Sequence, residues 1–469
     1  LRSRHGGCAR ASFTLVAPLV AGEGLATTAM RAPDTRQLGF FDADGSVAAA
    51  PLEHRQGGVD SANDRRTPTT PTGPGTRTST TATRTTTTRA TSSGRARSAQ
   101  WTGADFSFAD LLAAYLDCRR TKRTSAAALV FEARQEENLV DLHARLVDGS
   151  YQPGQSICFV ITRPKPREIW AAPFPDRIPH HLLYNAVGPA IEASFIADSC
   201  ACIQGRGTLY AARRLEAKVR SITRNWTRPA FYLKCDVANF FVSIDKFRLG
   251  EQLARRLAIL PSSSLQWRWL AETILFHDPR AGVEVRGPRG RLALIPAHKS
   301  LFTQDAAHGL PIGNLSSQFF ANVYLDELDQ LVKHRLRASH YVRYVDDFVL
   351  LHESPKQLNA WRAAIAAFLE ERLGLKLNDA KTVLQPVARG IDFVGQVIRP
   401  HRRSLRRRTF REALSRLEHA QPGDLWRSAN SYLGLLRQAT HSHRDRADVC
   451  NLLRRRGMAV DHNLTKAYP

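Results

Sequence analysis

Two acidic segments carry the residues best suited to chemistry. In His340-Tyr-Val-Arg-Tyr-Val-Asp-Asp-Phe-Val-Leu-Leu351, the adjacent carboxylates Asp346 and Asp347 are flanked on both sides by β-branched and aromatic residues. That composition predicts strand, tight turn, strand, with both acids at the hairpin tip. Far upstream, the apolar run Phe231-Tyr-Leu-Lys-Cys-Asp236 ends in a single acid, as expected of a buried strand that delivers one carboxylate to a sheet edge. Three such carboxylates suit Mg²⁺, which takes hard oxygen ligands rather than imidazoles or thiolates. Two ions about 3.5–4 Å apart activate an attacking hydroxyl oxygen and stabilise a leaving pyrophosphate, the requirements of nucleotidyl transfer. An isolated Asp-Asp pair is more often just a solvated turn, so the combination with Asp236 carries the reading.

Charge points to the partner. Lys plus Arg total 67 against 43 Asp plus Glu, a formal net charge of +24 in 469 residues, which fits a polyanionic partner. The local peak is Arg399, Arg402, Arg403, Arg406, Arg407, Arg408 and Arg411. Phosphate tracking along a duplex is one use of it, with strong salt dependence; a solvated arginine-rich helix face is the other reading. Seven cysteines without a CxxC pair argue against a disulfide framework or structural zinc, and Cys200-Ala-Cys202 alone does not make a metal site. His180, His181 and Asp245 lack partners at zinc spacing and read as structural. The letters Asp461-His-Asn463 lack the spaced partners a nuclease would need. No apolar run reaches the roughly 20 residues that span a bilayer, so no membrane partner is expected.

The organisation is uneven. Residues 65–99 form a Thr, Arg, Ser, Gly and Pro tract that cannot bury a core and is expected to be disordered. Phe13 to Leu25 is weakly apolar after arginines, but a signal peptide fits poorly with metal-dependent nucleotidyl transfer. Since the first methionine is Met30, the expectation for 1–100 is a disordered or mis-started region. Over 101–150, Leu111 to Leu116 and Leu139 to Leu146 show helical spacing, which predicts a helical N-terminal extension.

Further blocks then give a resemblance. With Tyr344-Val-Asp-Asp347 and Asp236, the chain carries Arg163-Pro-Lys-Pro-Arg-Glu-Ile169, Phe174-Pro-Asp-Arg177, Leu310-Pro-Ile-Gly-Asn-Leu-Ser-Ser-Gln318, Leu375-Lys-Leu-Asn-Asp-Ala-Lys381 and Ile391-Asp-Phe-Val-Gly395. In this order they resemble the blocks of reverse transcriptases, from about Asp105 to the C-terminus. The resemblance implies an α+β right-hand polymerase fold: fingers and an antiparallel palm sheet backed by helices over 151–398, then a basic helical thumb over 399–469. Fingers would occupy about 151–230, and a helix bearing Phe319, Val323, Leu325, Leu328 and Leu331 would back the palm. Asp236, Asp346 and Asp347 would hold two Mg²⁺ ions, with Mn²⁺ as a substitute. Lys381 would protonate the leaving pyrophosphate, or else be a plain surface lysine. Lys165 and Arg167 would grip the triphosphate, or else form a solvated basic loop. Phe241 would exclude a 2′-hydroxyl, or else be an ordinary core phenylalanine beside Phe240. Tyr344 would contact substrate, while Gly395 and Arg402, Arg403, Arg406, Arg407 and Arg408 would meet nucleic acid. Gly313 and Gly395, lacking Cβ, would allow a turn or close approach by nucleic acid.

The third block sets the subfamily. Retroviral and group II intron enzymes usually carry QGxxxSP there, whereas Ile312-Gly313-Asn-Leu-Ser-Ser317-Gln318 is similar to the enzymes of diversity-generating retroelements, which copy an RNA template with errors at adenine. Ile312 cannot make the hydrogen bond of a glutamine amide, so a check on base-pair geometry would weaken; the alternative is that Ile312 packs under the fingers and fidelity is set elsewhere. The resemblance further implies template RNA, primer, cDNA, dNTPs and a small basic accessory protein as partners, in the cytoplasm of a bacterium or encoded by a phage. A defence-associated or domesticated reverse transcriptase is the runner-up. An inactive RNA-binding scaffold would have no chemical need for the three carboxylates, and Phe241 argues against an RNA polymerase.

Overall fold

The computed structural model describes residues 106–469 except 121, 123, 124, 164 and 261–264. The expectations for 1–100 therefore fall outside the described residues. The N-terminal extension is three helices, α1 (Phe108–Arg119), α2 (Ala126–Glu132) and α3 (Gln135–Val147). Ser107 caps α1 by accepting from the Ala109 amide, which satisfies one of the otherwise unpaired first-turn donors. Leu139, Leu142 and Leu146 share one buried face of α3, as their helical spacing requires.

In the fingers, β1 (Ile157–Ile161) and β2 (Arg167–Ala171) pair antiparallel, with Ile157 opposite Ala171. Helices α4 (Phe174–Ala193) and α5 (Thr208–Ile222) follow, then β3 (Phe231–Asp236), the short α6 (Phe240–Ser243), α7 (Lys246–Leu257) and α8 (Leu265–Phe276). Asp245 caps α7 through the amides of Phe247 and Arg248, a structural role. The chain then returns to the fingers: β4 (Glu284–Arg286) joins β1 in parallel. This differs from the expected limit of about 230. A three-residue, exposed strand carries no periodicity, and its pairing is long-range, so neither local signal was present.

Helix α9 (Leu315–Gln330) continues into a π-helical turn at Leu331–Arg335, and β5 (Tyr341–Tyr344), β6 (Asp347–His352), α10 (Pro355–Leu373) and β7 (Val383–Pro386) complete the palm. Its sheet runs β5-β6-β3-β7, antiparallel throughout. Both faces are covered. Leu233, Cys235, Tyr341, Phe348 and Leu350 join the large core with Phe319, Val323, Leu325 and Leu328 of α9. Tyr232, Val342, Tyr344, Val349 and Leu351 join a second core with Ala211, Leu215 and Val219 of α5. Because alternate side chains point to opposite faces, burial of both makes the strands read as continuous apolar runs.

Beyond the palm, β8 (Ile391–Phe393), β9 (Gln396–Arg399) and β10 (Arg402–Leu405) form an antiparallel meander. Helices α11 (Arg407–His419), α12 (Pro422–Arg437) and α13 (His443–Arg455) pack around their own core, accompanied by the small pair β11 (Ala459–Val460) and β12 (Ala467–Tyr468). Thumb helices thus begin at Arg407, and a boundary at 398/399 cuts through the meander. The architecture is the expected α+β right-hand polymerase fold.

One buried ion pair fastens helix to sheet. Arg343 of β5 and Asp329 of α9 are 1% and 0% exposed at their side chains and meet at 2.7 Å. Arg343 also donates to Asn322 (3.2 Å), Ser199 (2.8 Å) and the Val345 carbonyl (3.0 Å), while Tyr341 donates to Asp329 (2.7 Å). Removing one partner strands a buried charge, so Arg343→Met is expected to cost about 3–5 kcal/mol. Urea denaturation of the variant beside the parent protein measures that loss.

Candidate active site

The β5–β6 hairpin places its acids by register. Tyr344 pairs with Asp347, leaving Val345 and Asp346 as the two-residue tip, and Asp236 at the end of β3 lies opposite Asp347. Val345 has φ +55°, unusual for a β-branched residue and worth about 1–3 kcal/mol of strain. The turn is held from both sides: Arg343 donates to the Val345 carbonyl, and the Val237 amide donates to the Asp346 carbonyl at 3.1 Å. The fold thus spends packing energy to keep Asp346 at a strained tip; Asp347, expected at the tip as well, is instead the first residue of β6, paired with Tyr344 and opposite Asp236.

Their electrostatics are unfavourable by construction. Burial first, then the charges of Asp236 and Asp347, push Asp346 up to about 7. Burial also raises Asp347, to about 6, against the opposing pull of Lys234. Lys234 bonds Asp347 Oδ2 at 3.0 Å, while buried Asp347 Oδ1 has no hydrogen-bond partner. Asp236 is held by Lys381 at 2.8 and 2.9 Å and by the Asn378 side-chain amide at 3.2 Å. Among the described residues no ready-made group of three metal ligands is present. The donor chemistry nevertheless fits a hard divalent cation: an orphaned carboxylate oxygen, neighbouring acids that repel one another, and no imidazole or thiol among them.

Other expected site residues fall into three sets. The first surrounds the carboxylates. Arg167, at the start of β2, feels the attraction of Asp346 and Asp236 against the burial that lowers its pKa. Burial, then repulsion from Lys381, Arg167, Arg408 and Lys299, lowers Lys165. Lys299, to which sequence reasoning assigned no role, thus joins the cations whose charge is felt at Lys165. Phe241 is half-buried beside the buried Phe240, with ring centroids 5.3 Å apart. Gln318 is half-buried, and its Oε1 is buried without a partner.

A second set serves the framework. Tyr344 is 3% exposed and lies in the core against α5 rather than in the open cleft. Ile312 packs against the cluster of Phe159, Ile169 and Ala171 under the fingers, and its carbonyl accepts from the Trp170 amide at 2.7 Å. Gly313 has φ +146°, and a Cβ there would stand 2.2 Å from the Trp170 carbonyl oxygen. The close approach that demands glycine is therefore made by strand β2, not by nucleic acid. Gly395, at φ +81°, follows Val394 at φ +45° in the two-residue turn between β8 and β9. His180 is buried and hydrogen-bonds Ser316 at 2.7 Å, as a structural histidine would.

The third set is the arginine cluster, which divides. Arg403 is buried and ion-paired with Glu216 at 2.7 Å, and Arg406 is bound to Asp392. These two are corrected from nucleic-acid contacts to internal ties. Arg402, Arg407, Arg408 and Arg411 remain exposed. Arg408 is bound to Glu412 on the same helix at 2.9 Å, an interaction worth little at the surface.

The hairpin tip and the facing strand define a polymerase palm. Comparison with known proteins then shows what the chain is similar to. Residues 175–398 match the model of the family described as reverse transcriptase (RNA-dependent DNA polymerase). Protein YkfC of Escherichia coli (strain K12) is 24% identical over 301 residues, 57% of this chain and 72% of that protein. Protein P of duck hepatitis B virus (isolate Shanghai/DHBVQCA34) is 31% identical over 126 residues, 26% of this chain but only 16% of the viral protein. Apo telomerase from Candida tropicalis matches with a TM-score of 0.41 and 13% identity, over 64% of this chain and 57% of that one. Residues 175–398 thus match a reverse transcriptase domain. Among the described residues no helix is long and apolar enough to cross a membrane.

The raised carboxylates have a measurable consequence. A folded-state pKa near 7 against an unfolded value near 3.9 means that the unfolded chain releases its proton first, so metal-free stability falls as pH rises from about 4 to about 7. Asp346→Asn removes that penalty and is expected to stabilise the metal-free protein at pH 8 by on the order of 1 kcal/mol. Mg²⁺ should raise the melting temperature of the parent protein and do so far less in the variant. Thermal melts at pH 5 and pH 8, with and without Mg²⁺, read both effects.

Proposed function

We propose that this protein makes cDNA from an RNA template by two-metal nucleotidyl transfer, and that it does so with errors at adenine as the enzyme of a diversity-generating retroelement. The observation that carries the catalytic reading is the register that sets Asp236 opposite Asp347 beside the strained Asp346 tip. Divalent cations, Mg²⁺ or Mn²⁺, would activate the primer 3′ oxygen and stabilise the leaving pyrophosphate when bound by these carboxylates. Lys165 and Arg167 would receive the triphosphate, the guanidinium as a fork and the ammonium as a point charge. Phe241 would close the space beside the sugar 2′ position. Lys381, 55% exposed, can leave Asp236 and hold a proton for the pyrophosphate.

The retroelement reading rests on Ile312-Gly313 through Ser317-Gln318. A template RNA and a small basic accessory protein would be its partners. A specific observation favours the second reading, a defence-associated or domesticated enzyme with accuracy set elsewhere: Ile312 packs into the fingers cluster.

Primer extension on an RNA template with Mg²⁺ and dNTPs tests the activity. The expected outcome is metal-dependent cDNA with errors concentrated opposite adenine, and at least a thousandfold less product from Asp346→Ala, in line with losing about 4 kcal/mol of transition-state stabilisation. Accurate synthesis would move the assignment to the second reading. Sequencing cDNA from Ile312→Gln tests the cause of infidelity: adenine errors are expected to fall severalfold, and an unchanged spectrum assigns fidelity to other residues.

A further inference from the structure

Lys234 is the charged residue inside an otherwise apolar catalytic strand, and it touches two parts of the machine at once. Its Nζ lies 3.0 Å from Asp347 Oδ2 and 3.0 Å from the backbone carbonyl of Asp392 in β8. The side chain is 19% exposed, so these contacts are made in a recess, where an ammonium is costly unless it is paired. Asp392 in turn binds Arg406, whose own amide donates to the Gly395 carbonyl at 3.2 Å and which directly precedes thumb helix α11. A continuous polar chain therefore runs from a catalytic carboxylate, through Lys234, to the β8–β9 hairpin and the root of the thumb.

We propose that Lys234 is a positioning residue that sets Asp347 and the β8–β9 hairpin in one register and moderates the hold of Asp347 on divalent cations; the proposal rests on the metal-site reading of Asp347. The ammonium fixes one carboxylate oxygen and leaves the other, Oδ1, unpartnered and buried. It also lowers the net negative charge of the acid cluster, so a cation binds tightly enough to act and loosely enough to exchange. The second bond pins the hairpin by its backbone, a contact that no side-chain change at 392 can replace.

Mn²⁺ titration of the full chain without nucleic acid, followed by electron paramagnetic resonance of the free ion, reads the first role. Lys234→Met is expected to bind Mn²⁺ about tenfold more tightly, because an acid cluster without its ammonium attracts a cation more strongly. Lys234→Arg keeps the charge and should keep parental Mn²⁺ affinity. Its planar guanidinium is bulkier and sits on a differently shaped arm, so it cannot occupy the point from which Nζ meets both oxygens at 3.0 Å, and in primer extension its KM for primer–template should rise at least threefold and its kcat should fall. Parental Mn²⁺ affinity in Lys234→Met, or parental kcat and KM in Lys234→Arg, overturns the proposal. Should the methionine variant not fold, as its melting curve would show, the arginine variant decides alone. If Asp347→Asn leaves the Mn²⁺ affinity of the parent protein unchanged, the metal-site reading itself falls, an outcome distinct from failure at Lys234.

Discussion

The palm depends on the ion pair between Arg343 and Asp329. A buried pair of this kind is a poor source of net stability, since desolvating both charges offsets much of their attraction. What it supplies is geometry. The guanidinium reaches Asp329 and Asn322 on α9, Ser199 on the α4–α5 connection and the Val345 carbonyl at the catalytic turn. An aliphatic side chain could fill that space, but it could not specify four partners on three segments. The strained φ of Val345 persists because this network over-determines the turn. Loss of the pair would therefore reach Asp346 through the turn that Arg343 holds at the Val345 carbonyl.

Around the site, charge does two jobs that the total of +24 conceals. Some cations are consumed internally: Arg403 on Glu216, Arg406 on Asp392, and Arg214, Lys218 and Lys333 on the buried Asp198. Others repel one another: Lys165 feels the charges of Lys381, Arg167, Arg408 and Lys299. Mutual repulsion among cations, opposite mutually repelling carboxylates, is stable only because the surrounding cores fix both groups. Under the proposed function, a polyanionic triphosphate or duplex would relieve the first strain, and a divalent cation would relieve the second.

Much of this was legible in the sequence. The hairpin tip, the facing strand end at Asp236, the backing helix and the N-terminal helices all follow from residue type and spacing, because each is a local pattern forced by burial. What was missed is non-local. Strand β4 is too short and exposed to leave a pattern. Arg343 and Asp329 did leave a signal, a charge at a strand position flanked by buried residues and an acid on the face of α9 that also carries Leu325, but each acquires meaning only beside the other. Lys234 was equally visible as a lysine in an apolar strand. Arginines were the hardest case, since exposed and internally paired ones are alike in sequence; only the meander showed that Arg403 points inward.

The loop before α9 shows why residue type and backbone must be weighed separately. Three backbone-level contacts fix it to the fingers: the Trp170 amide on the Ile312 carbonyl, the Ala172 amide on the Asn314 side chain at 3.0 Å, and the Gly313 backbone against Trp170. None of them uses the Ile312 side chain. A change at 312 can therefore alter what the loop presents without releasing it from β2, whereas a change at 313 would move the loop itself. Ile312 is itself only partly buried where it packs against the buried Phe159, Ile169 and Ala171, so its side chain is not sealed in the core. Any effect of substitution at 312 on the proposed copying would thus be read as chemistry at one side chain, because the scaffold that positions it is built from backbone, Gly313 and the Asn314 side chain.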